Sequence, residues 1–262
     1  MQDVHLKYNS FNQLMKTKFG SKVYRITLNS GLSCPNIDGT RAKGGCYFCN
    51  DDYLLAKSWH KQQPIEDQLS YGIEYVKERH PNTHQFLAYF QNGTNTHAKA
   101  DFLRPLFYKS IEPKEIVGLM ISTRPDCLDN EILDLLSELN EKTYLWVELG
   151  LQSPQNHILE KINRAHTVEE FAAATEALHS RGILNCAHII LGMPDETPEE
   201  IKDEFEKKFR DNNYRDVIYE GEEAMTDGFW EFFDKNNNIS GIYFNINSKG
   251  TNYDIRWINK KI

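Results

Sequence analysis

Five long apolar runs constrain the fold of this chain more than any other feature. Runs of this kind, rich in β-branched and aromatic residues, are typical of strands buried on both faces of a parallel sheet. The stretches between them are long enough for crossover helices, so the sequence predicts an α/β fold, either a barrel or an open parallel sheet. The runs span residues 23–29, 85–91, 116–123, 144–152 and 185–193.

The intervening segments show the three-and-four spacing of amphipathic helices. This pattern predicts helices over 65–80, 129–142 and 167–182. Asp129 and Thr167 are expected to cap the second and third of these, because their side-chain oxygens can accept from free N–H groups in the first turn. Gly182 is expected to end the third helix.

The character of the chain changes past about residue 206, where asparagine, acidic and aromatic residues become frequent. Segment 207–262 is either a sixth strand of the sheet over 241–247, after a helix around 226–235, or a small appended unit. Residues 1–20 are assigned to an N-terminal extension and 21–206 to the main domain.

Composition limits the class of protein. The net charge of −8 argues against a protein coated in positive charge for nonspecific nucleic-acid binding. The basic residues of the first 25 positions form a modest positive patch or simply a solvated helix face. No stretch approaches the roughly 20 apolar residues that cross a bilayer, so we expect a cytoplasmic protein without a membrane partner. Five cysteines, three of them within sixteen positions, suit a reducing compartment.

Those three cysteines, Cys34, Cys46 and Cys49, follow the first predicted strand. A C-x-x-C pair brings two sulfurs to one metal or cluster, and the adjacent glycines let the backbone wrap closely around it. A four-iron cluster on three thiolates keeps one iron open to a small molecule, whereas a structural zinc ion needs a fourth ligand, for which His60 is the nearest candidate. Spacing alone leaves cluster and zinc open, along with a redox dithiol and unliganded core cysteines.

Polar residues also follow the other predicted strands, at the edge where active groups of parallel sheets lie. Glu148 and Gln152 belong to the fourth run, and a carboxylate inside an apolar run needs a partner such as a ribose hydroxyl. Arg124 follows the third run. It can hold a carboxylate in a forked contact or form a local ion pair with Asp126.

Six phrases, read in order over residues 20–205, resemble the radical S-adenosylmethionine (radical SAM) superfamily, and more narrowly a group related to the elongator-type catalytic subunit. They are GLSCPNIDGTRAKGGCYFCN, YFQNGTNTHA, STRPDCL, WVELGLQS, INRAH and HIILGMPDET. The resemblance implies a partial (β/α)6 barrel with a [4Fe–4S] cluster on Cys34, Cys46 and Cys49. SAM would bind the open iron and be reductively cleaved to a 5′-deoxyadenosyl radical. The wide first spacing departs from the CxxxCxxC arrangement common in the superfamily.

The resemblance also implies a set of cofactor-binding residues. An aromatic residue before the last cysteine would pack near the adenine, or else in the core. Polar residues after the second strand stand where the superfamily often has a glycine-rich acidic motif that receives the methionine amino group; these residues can also form turns. A glycine turn after the fifth strand would let backbone amides approach the adenine, with Glu196 nearby. The set comprises Phe48, Thr94, Asn95, Thr96, Arg124, Glu148, Gln152 and Gly192.

Other positions have weaker assignments. The INRAH segment (162–166) either closes the pocket or anchors a helix, and Tyr47 is expected only to pack. Cys186 is expected in the core, as is His188 as a satisfied strand histidine, while Cys127 can be either core or a substrate-facing thiol. No catalytic side chain is identified.

The resemblance implies an electron donor such as flavodoxin or ferredoxin. It also implies tRNA as substrate, with the side chain of a wobble uridine as the modified group. The competing hypothesis is a noncatalytic zinc or iron–sulfur module that recruits a partner.

Overall fold

The computed structural model describes residues 11–49, 63–191, 193, 228–233, 239–246 and 253–259. All five predicted strands are present, and the third and fourth have the predicted bounds. They pair in chain order, and every pair is parallel. The predicted α/β fold is thereby confirmed. The strands are β1 (Tyr24–Leu28), β2 (Phe86–Phe90), β3 (Ile116–Thr123), β4 (Tyr144–Gln152) and β5 (Leu184–Leu191).

Except for α1, which precedes β1, the described helices lie between these strands, and the two predicted N-terminal caps are confirmed. Asp129 accepts a hydrogen bond from the Ile132 amide at 2.9 Å, and Thr167 forms a reciprocal capping box with Glu170. Within the described ranges, no helix is long and apolar enough to cross a bilayer. The helices are α1 (Phe11–Phe19), α2 (Ile65–Arg79), α3 (Ala100–Ser110), α4 (Asn130–Lys142), α5 (Asn156–Lys161) and α6 (Val168–His179), with a 3-10 turn at Pro125–Cys127.

The C-terminal strands differ from the sequence prediction. The predicted helix around 226–235 is wrong, because this stretch contains β6 (Gly228–Phe233). The predicted strand is present as β7 (Ile239–Ile246), but it does not lie beside β5. That place is taken by β8 (Tyr253–Asn259), which pairs antiparallel with both β5 and β7. The sheet therefore continues past its five parallel strands as an antiparallel extension.

Apolar side chains cover both faces of the parallel strands. On one face the strands pack against α2, α3, α4 and α6 around buried residues such as Phe86, Leu119 and Leu136. On the other face α1 inserts Phe11 and Met15 against side chains that include Trp146. Because side chains alternate along each strand, one set faces α2, α3, α4 and α6, and the other set faces α1.

Candidate functional site

The cysteine loop follows β1 at the carboxyl edge of the sheet. Cys46 is buried, while Cys34 and Cys49 are half-buried, and none of the three forms a disulfide within the described residues. Gly44 and Gly45 have φ values of 83° and 72°, a region that glycine enters without steric cost. The Cys49 amide donates to the Cys46 carbonyl at 2.9 Å, which closes a turn between the last two cysteines.

Asn36 joins the cysteine loop to the INRAH segment. Its Nδ2 lies 2.6 Å from the Asn163 carbonyl oxygen, 3.1 Å from the Arg164 carbonyl oxygen and 3.4 Å from the Cys46 Sγ. Asn163 donates in return to the Gly45 carbonyl at 2.7 Å. The INRAH segment therefore anchors the cysteine loop.

Two further loop residues attach the loop to other strand ends. Asp38 lies 2.6 Å from the His97 Nε2, in the loop after β2. Arg41 donates to the Ala165 carbonyl at 2.9 Å and lies 3.3 Å from Asp126 after β3. Sequence reasoning missed Asn36, Asp38 and Arg41 as functional residues. The available signal was their position inside the unusually long interval between Cys34 and Cys46.

Arg124 forms the local ion pair that the sequence left as one of two alternatives. Its Nε and Nη2 donate to the two Asp126 oxygens at 2.8 and 2.9 Å. Burial alone would lower the Arg124 pKa, but the hydrogen bonds and charge of Asp126 outweigh it and raise that pKa. Among the described residues, the Arg124 Nη1 has no hydrogen-bond partner. The fork is therefore occupied, and one nitrogen remains for a ligand.

Glu148 lies on the α1 face of β4, buried at 3% exposure. Its Oε2 accepts from the Tyr89 hydroxyl at 2.7 Å and from the Ser122 hydroxyl at 2.6 Å. These neutral donors explain how a carboxylate persists inside an apolar run, because a buried charge needs hydrogen bonds. A carboxylate has about four lone-pair sites, so its oxygens can accept from several donors at once.

Gln152 ends β4 at an irregularity in its pairing with β5. Its φ of 76° is unusual for a residue with a side chain, and such irregularities re-aim side chains near functional sites. The Gln152 side chain is 5% exposed, and its Oε1 has no partner in the part of the chain that the structure describes. This oxygen is therefore suited to accept from a ligand.

The side chain of Arg164 contacts both the end of β4 and the cysteine loop. It donates through Nη2 to the Gly150 carbonyl at 2.7 Å, through Nε to His166 at 2.9 Å and through Nη1 to the Cys46 Sγ at 3.7 Å. Burial and the neighbouring guanidinium groups lower the His166 pKa to about 3. His166 is therefore neutral at physiological pH and can accept from Arg164.

Changing Gly150 to alanine should displace the Arg164 side chain from these contacts. A Cβ there would lie 2.5 Å from the Arg164 Nη2 and 2.6 Å from the Gln152 Nε2. Overpacking of this kind costs about 1–3 kcal/mol. We expect Gly150→Ala to lower the free energy of unfolding by that amount in denaturant titrations. In an Arg164→Gln background the added cost should be smaller, because the blocking nitrogen is gone. An equal cost in both backgrounds would contradict this account.

The predicted residues after β2 are buried and largely engaged within the protein. Asn95 donates to the Phe90 and Ser122 carbonyls at 3.0 and 2.9 Å and accepts from the Ser30 hydroxyl at 2.6 Å. Thr96 donates to the Cys127 carbonyl at 2.7 Å. Both therefore hold loops together. Thr94 is 1% exposed beside them.

The structure places the remaining predicted residues as follows. Phe48 packs against the α5 cluster of Ile158, Leu159 and Ile162, which also contacts Met193. The expectation that Tyr47 only packs is wrong, because its side chain is 79% exposed. Gly192, Glu196 and His60 lie outside the described residues.

The two cysteines outside the loop differ in environment. Cys186 is fully buried on the α1 face, as predicted. Burial and the nearby Asp126 charge raise the Cys127 pKa to about 12. Cys127 is therefore a protonated thiol at neutral pH.

The groups around Cys46 fit an iron–sulfur cluster. Its sulfur receives an amide N–H from Asn36 and a guanidinium N–H from Arg164, and hydrogen bonds to cysteine sulfurs are a standard means of tuning such clusters. Across the described ranges, no three His, Cys, Asp or Glu side chains are grouped so as to hold a single ion. A cubane imposes a different requirement, because each thiolate binds a different iron.

Comparisons of the sequence with those of known proteins identify relatives of this chain. The protein named "Uncharacterized protein YtqA" from Bacillus subtilis (strain 168) is 40% identical over 191 residues, which cover 72% of this chain and 58% of that protein. A tRNA uridine(34) acetyltransferase of Methanocaldococcus jannaschii is 37% identical over 100 residues, which cover 38% of this chain and 18% of that enzyme. This chain therefore spans under two thirds of the length of these relatives.

A solved structure shares the fold. The archaeal Elp3 of Methanocaldococcus infernus, with an N-terminal deletion, superposes with a TM-score of 0.53 at 21% identity and covers 71% of this chain and 42% of its own. The sequence model described as "Radical SAM superfamily" matches residues 37–208. With the three thiols at the carboxyl edge of a parallel sheet, this match shows that the chain belongs to the radical SAM superfamily, whose members use a [4Fe–4S] cluster and S-adenosylmethionine.

Proposed function

We propose that this chain is a radical SAM enzyme that modifies tRNA, with the side chain of a wobble uridine as the target. The observation that carries the proposal is the cysteine loop, in which three cysteines lie at the carboxyl edge of a parallel sheet and the buried one, Cys46, receives N–H donors. Cys34, Cys46 and Cys49 would hold the cluster. When bound and reduced, the cluster supplies the electron that splits SAM into methionine and a 5′-deoxyadenosyl radical. A low-potential carrier such as flavodoxin or ferredoxin would deliver that electron.

The polar side chains near the loop would hold SAM. Glu148 accepts from Tyr89 and Ser122, which fix its orientation, and a carboxylate held in this way suits the ribose hydroxyls. The Gln152 Oε1 can accept from a hydroxyl or from the ammonium group. Because the fork of Arg124 is occupied by Asp126, Arg124 would offer the methionine carboxylate one nitrogen rather than two.

The remaining predicted residues have narrower roles in this proposal. Phe48 would contribute an apolar wall for the adenine, together with the turn at Gly192. Thr94 is the member of the 94–96 set whose side chain would face the ammonium group, since Asn95 and Thr96 hold neighbouring loops. Such positioning matters because a primary alkyl radical abstracts hydrogen from almost any nearby carbon, so the reacting groups must be held close.

The choice of tRNA rests on relatives. A tRNA uridine(34) acetyltransferase is similar over 100 residues, and an archaeal Elp3 shares the fold. The net charge of −8 means that RNA binding would have to come from a local surface or from a second protein, because phosphate contacts need positive charge.

A comparison of tRNA nucleosides tests the substrate. Total tRNA from cells with and without the gene would be digested and its nucleosides measured by mass spectrometry. We expect one wobble-uridine derivative to disappear in the deletion strain. It should return when the wild-type gene is supplied, but not when a Cys34→Ser gene is supplied. An unchanged nucleoside profile would exclude tRNA as the substrate. Purified protein that contains zinc and neither iron nor sulfide after anaerobic preparation would instead favour the noncatalytic module.

A further inference from the structure

Three buried charged side chains beside the cysteine loop are linked by direct contacts, and two of the three are positive. Arg124, Asp126 and Arg164 are all buried, with side-chain exposures of 2% and 3% for the first two and an overall exposure of 6% for Arg164. Arg124 and Asp126 neutralise each other through a two-point contact. The guanidinium of Arg164 is left as the uncompensated charge of this group.

The direct partners of Arg164 do not supply the missing negative charge. His166 is neutral and Gly150 contributes a backbone carbonyl. The third partner is the Cys46 sulfur, 3.7 Å from Nη1. An unpaired buried charge is costly, so the fold holds Arg164 where an anion is expected.

A cluster on Cys34, Cys46 and Cys49 would be that anion. A four-iron core of charge 2+ carried by three thiolates has one net negative charge, and one-electron reduction adds a second. A fixed positive charge beside Cys46 therefore stabilises the reduced form more than the oxidised form. The same positive charge also favours cysteines that bind a cluster as thiolates over cysteines that remain protonated.

We propose that Arg164 is the charge partner of the cluster and raises its reduction potential through its contact with Cys46. Arg164 is thus a positioning and tuning residue rather than a catalytic one, and Asn36 adds an uncharged N–H to the same sulfur. The inference rests on the proposed function in one respect, namely that the three cysteines hold the cluster.

The test is a redox titration of the reconstituted protein, followed by electron paramagnetic resonance of the reduced cluster. In Arg164→Gln we expect the ratio of reduced to oxidised cluster at a fixed potential to fall at least tenfold, which is 59 mV for a one-electron couple. Arg164→Lys keeps the charge and should shift this ratio less than threefold. Arg104→Gln is the matched control, because Arg104 forms a surface pair with Glu138, and it should leave the ratio unchanged.

For a second variant, we expect the reduction potential of the cluster to shift in the opposite direction. Asp126→Asn removes the carboxylate that neutralises Arg124 and adds one net positive charge to the same buried group. The reduced fraction at a fixed potential should then rise. This variant decides the question if Arg164→Gln does not retain a cluster.

The outcomes separate this inference from the proposed function. Wild-type protein that takes up no iron and sulfide overturns the proposed function itself. Wild-type protein that binds a cluster whose potential is the same in Arg164→Gln overturns the inference alone. So does an equal shift in Arg164→Lys and Arg164→Gln, since charge would not be the cause. If Arg164→Gln does not retain a cluster, an unchanged or lowered reduced fraction in Asp126→Asn overturns it as well.

Discussion

Replacing Cys46 by serine should abolish cluster binding and the production of 5′-deoxyadenosine from SAM. The buried Cys46 sulfur is the one that Asn36 and Arg164 contact, and a serine hydroxyl is a far weaker ligand for iron than a thiolate. Loss of a residue that only orients a metal ligand typically costs about 10–100-fold, so loss of the ligand itself should exceed about 100-fold. Iron and sulfide per chain, visible absorbance and product formation measure the effect. Cys34→Ser and Cys49→Ser should behave alike.

The matched control is Cys186→Ala. Cys186 is also a buried free thiol, but it lies on the α1 face of β5. We expect this variant to retain the wild-type iron and sulfide content. If Cys186→Ala lost as much iron as Cys46→Ser, the loop would not be the cluster site. Retention of a full cluster by all three loop variants would lead to the same conclusion.

Trp146→Ala should be the most destabilising of the simple core changes. Trp146 is 1% exposed on the α1 face of β4, with its ring centroid 5.8 Å from that of Phe11. Removing a buried tryptophan costs about 3–5 kcal/mol, because both the transfer energy and the packing around the cavity are lost. Denaturant unfolding should show this decrease in the free energy of unfolding. Hydrogen exchange should show that the amides of α1 lose protection.

An exposed aromatic residue supplies the comparison for this change. Phe102 on α3 is 57% exposed, so Phe102→Ala should alter the free energy of unfolding by no more than about 0.5 kcal/mol. A Trp146→Ala protein as stable as Phe102→Ala would show that α1 does not depend on this contact.

The parallel strands were predictable because each is largely an apolar run, and burial on both faces leaves that record most clearly in β2, β3 and β4. The helix caps were predictable because they are local interactions. Asp129 and Thr167 accept from amides only three residues away. The helix predicted around 226–235 failed because closely spaced aromatic residues suit a helix face and a strand equally well. The segment forms β6, whose partner β7 lies elsewhere in the sequence.

The candidate site was only partly predictable. The three cysteines and the strand-end residues Glu148 and Gln152 stand out because a polar or thiol group is unusual next to an apolar run. The partners that hold them do not stand out. Asn36 and Arg164 lie 128 positions apart, and no local pattern in the sequence records their contact. For the same reason the sequence could suggest that Arg124 binds a carboxylate, but not that Asp126 already occupies its fork.

The eleven residues between Cys34 and Cys46 have a consequence for how genetic variants of this protein should be interpreted. This interval is attached to three other segments. Asn36 contacts the INRAH segment, Asp38 contacts the loop after β2, and Arg41 contacts the turn after β3. These contacts position the interval whose two ends carry Cys34 and Cys46. Substitutions at these positions would therefore mimic the loss of a ligand while leaving every cysteine intact.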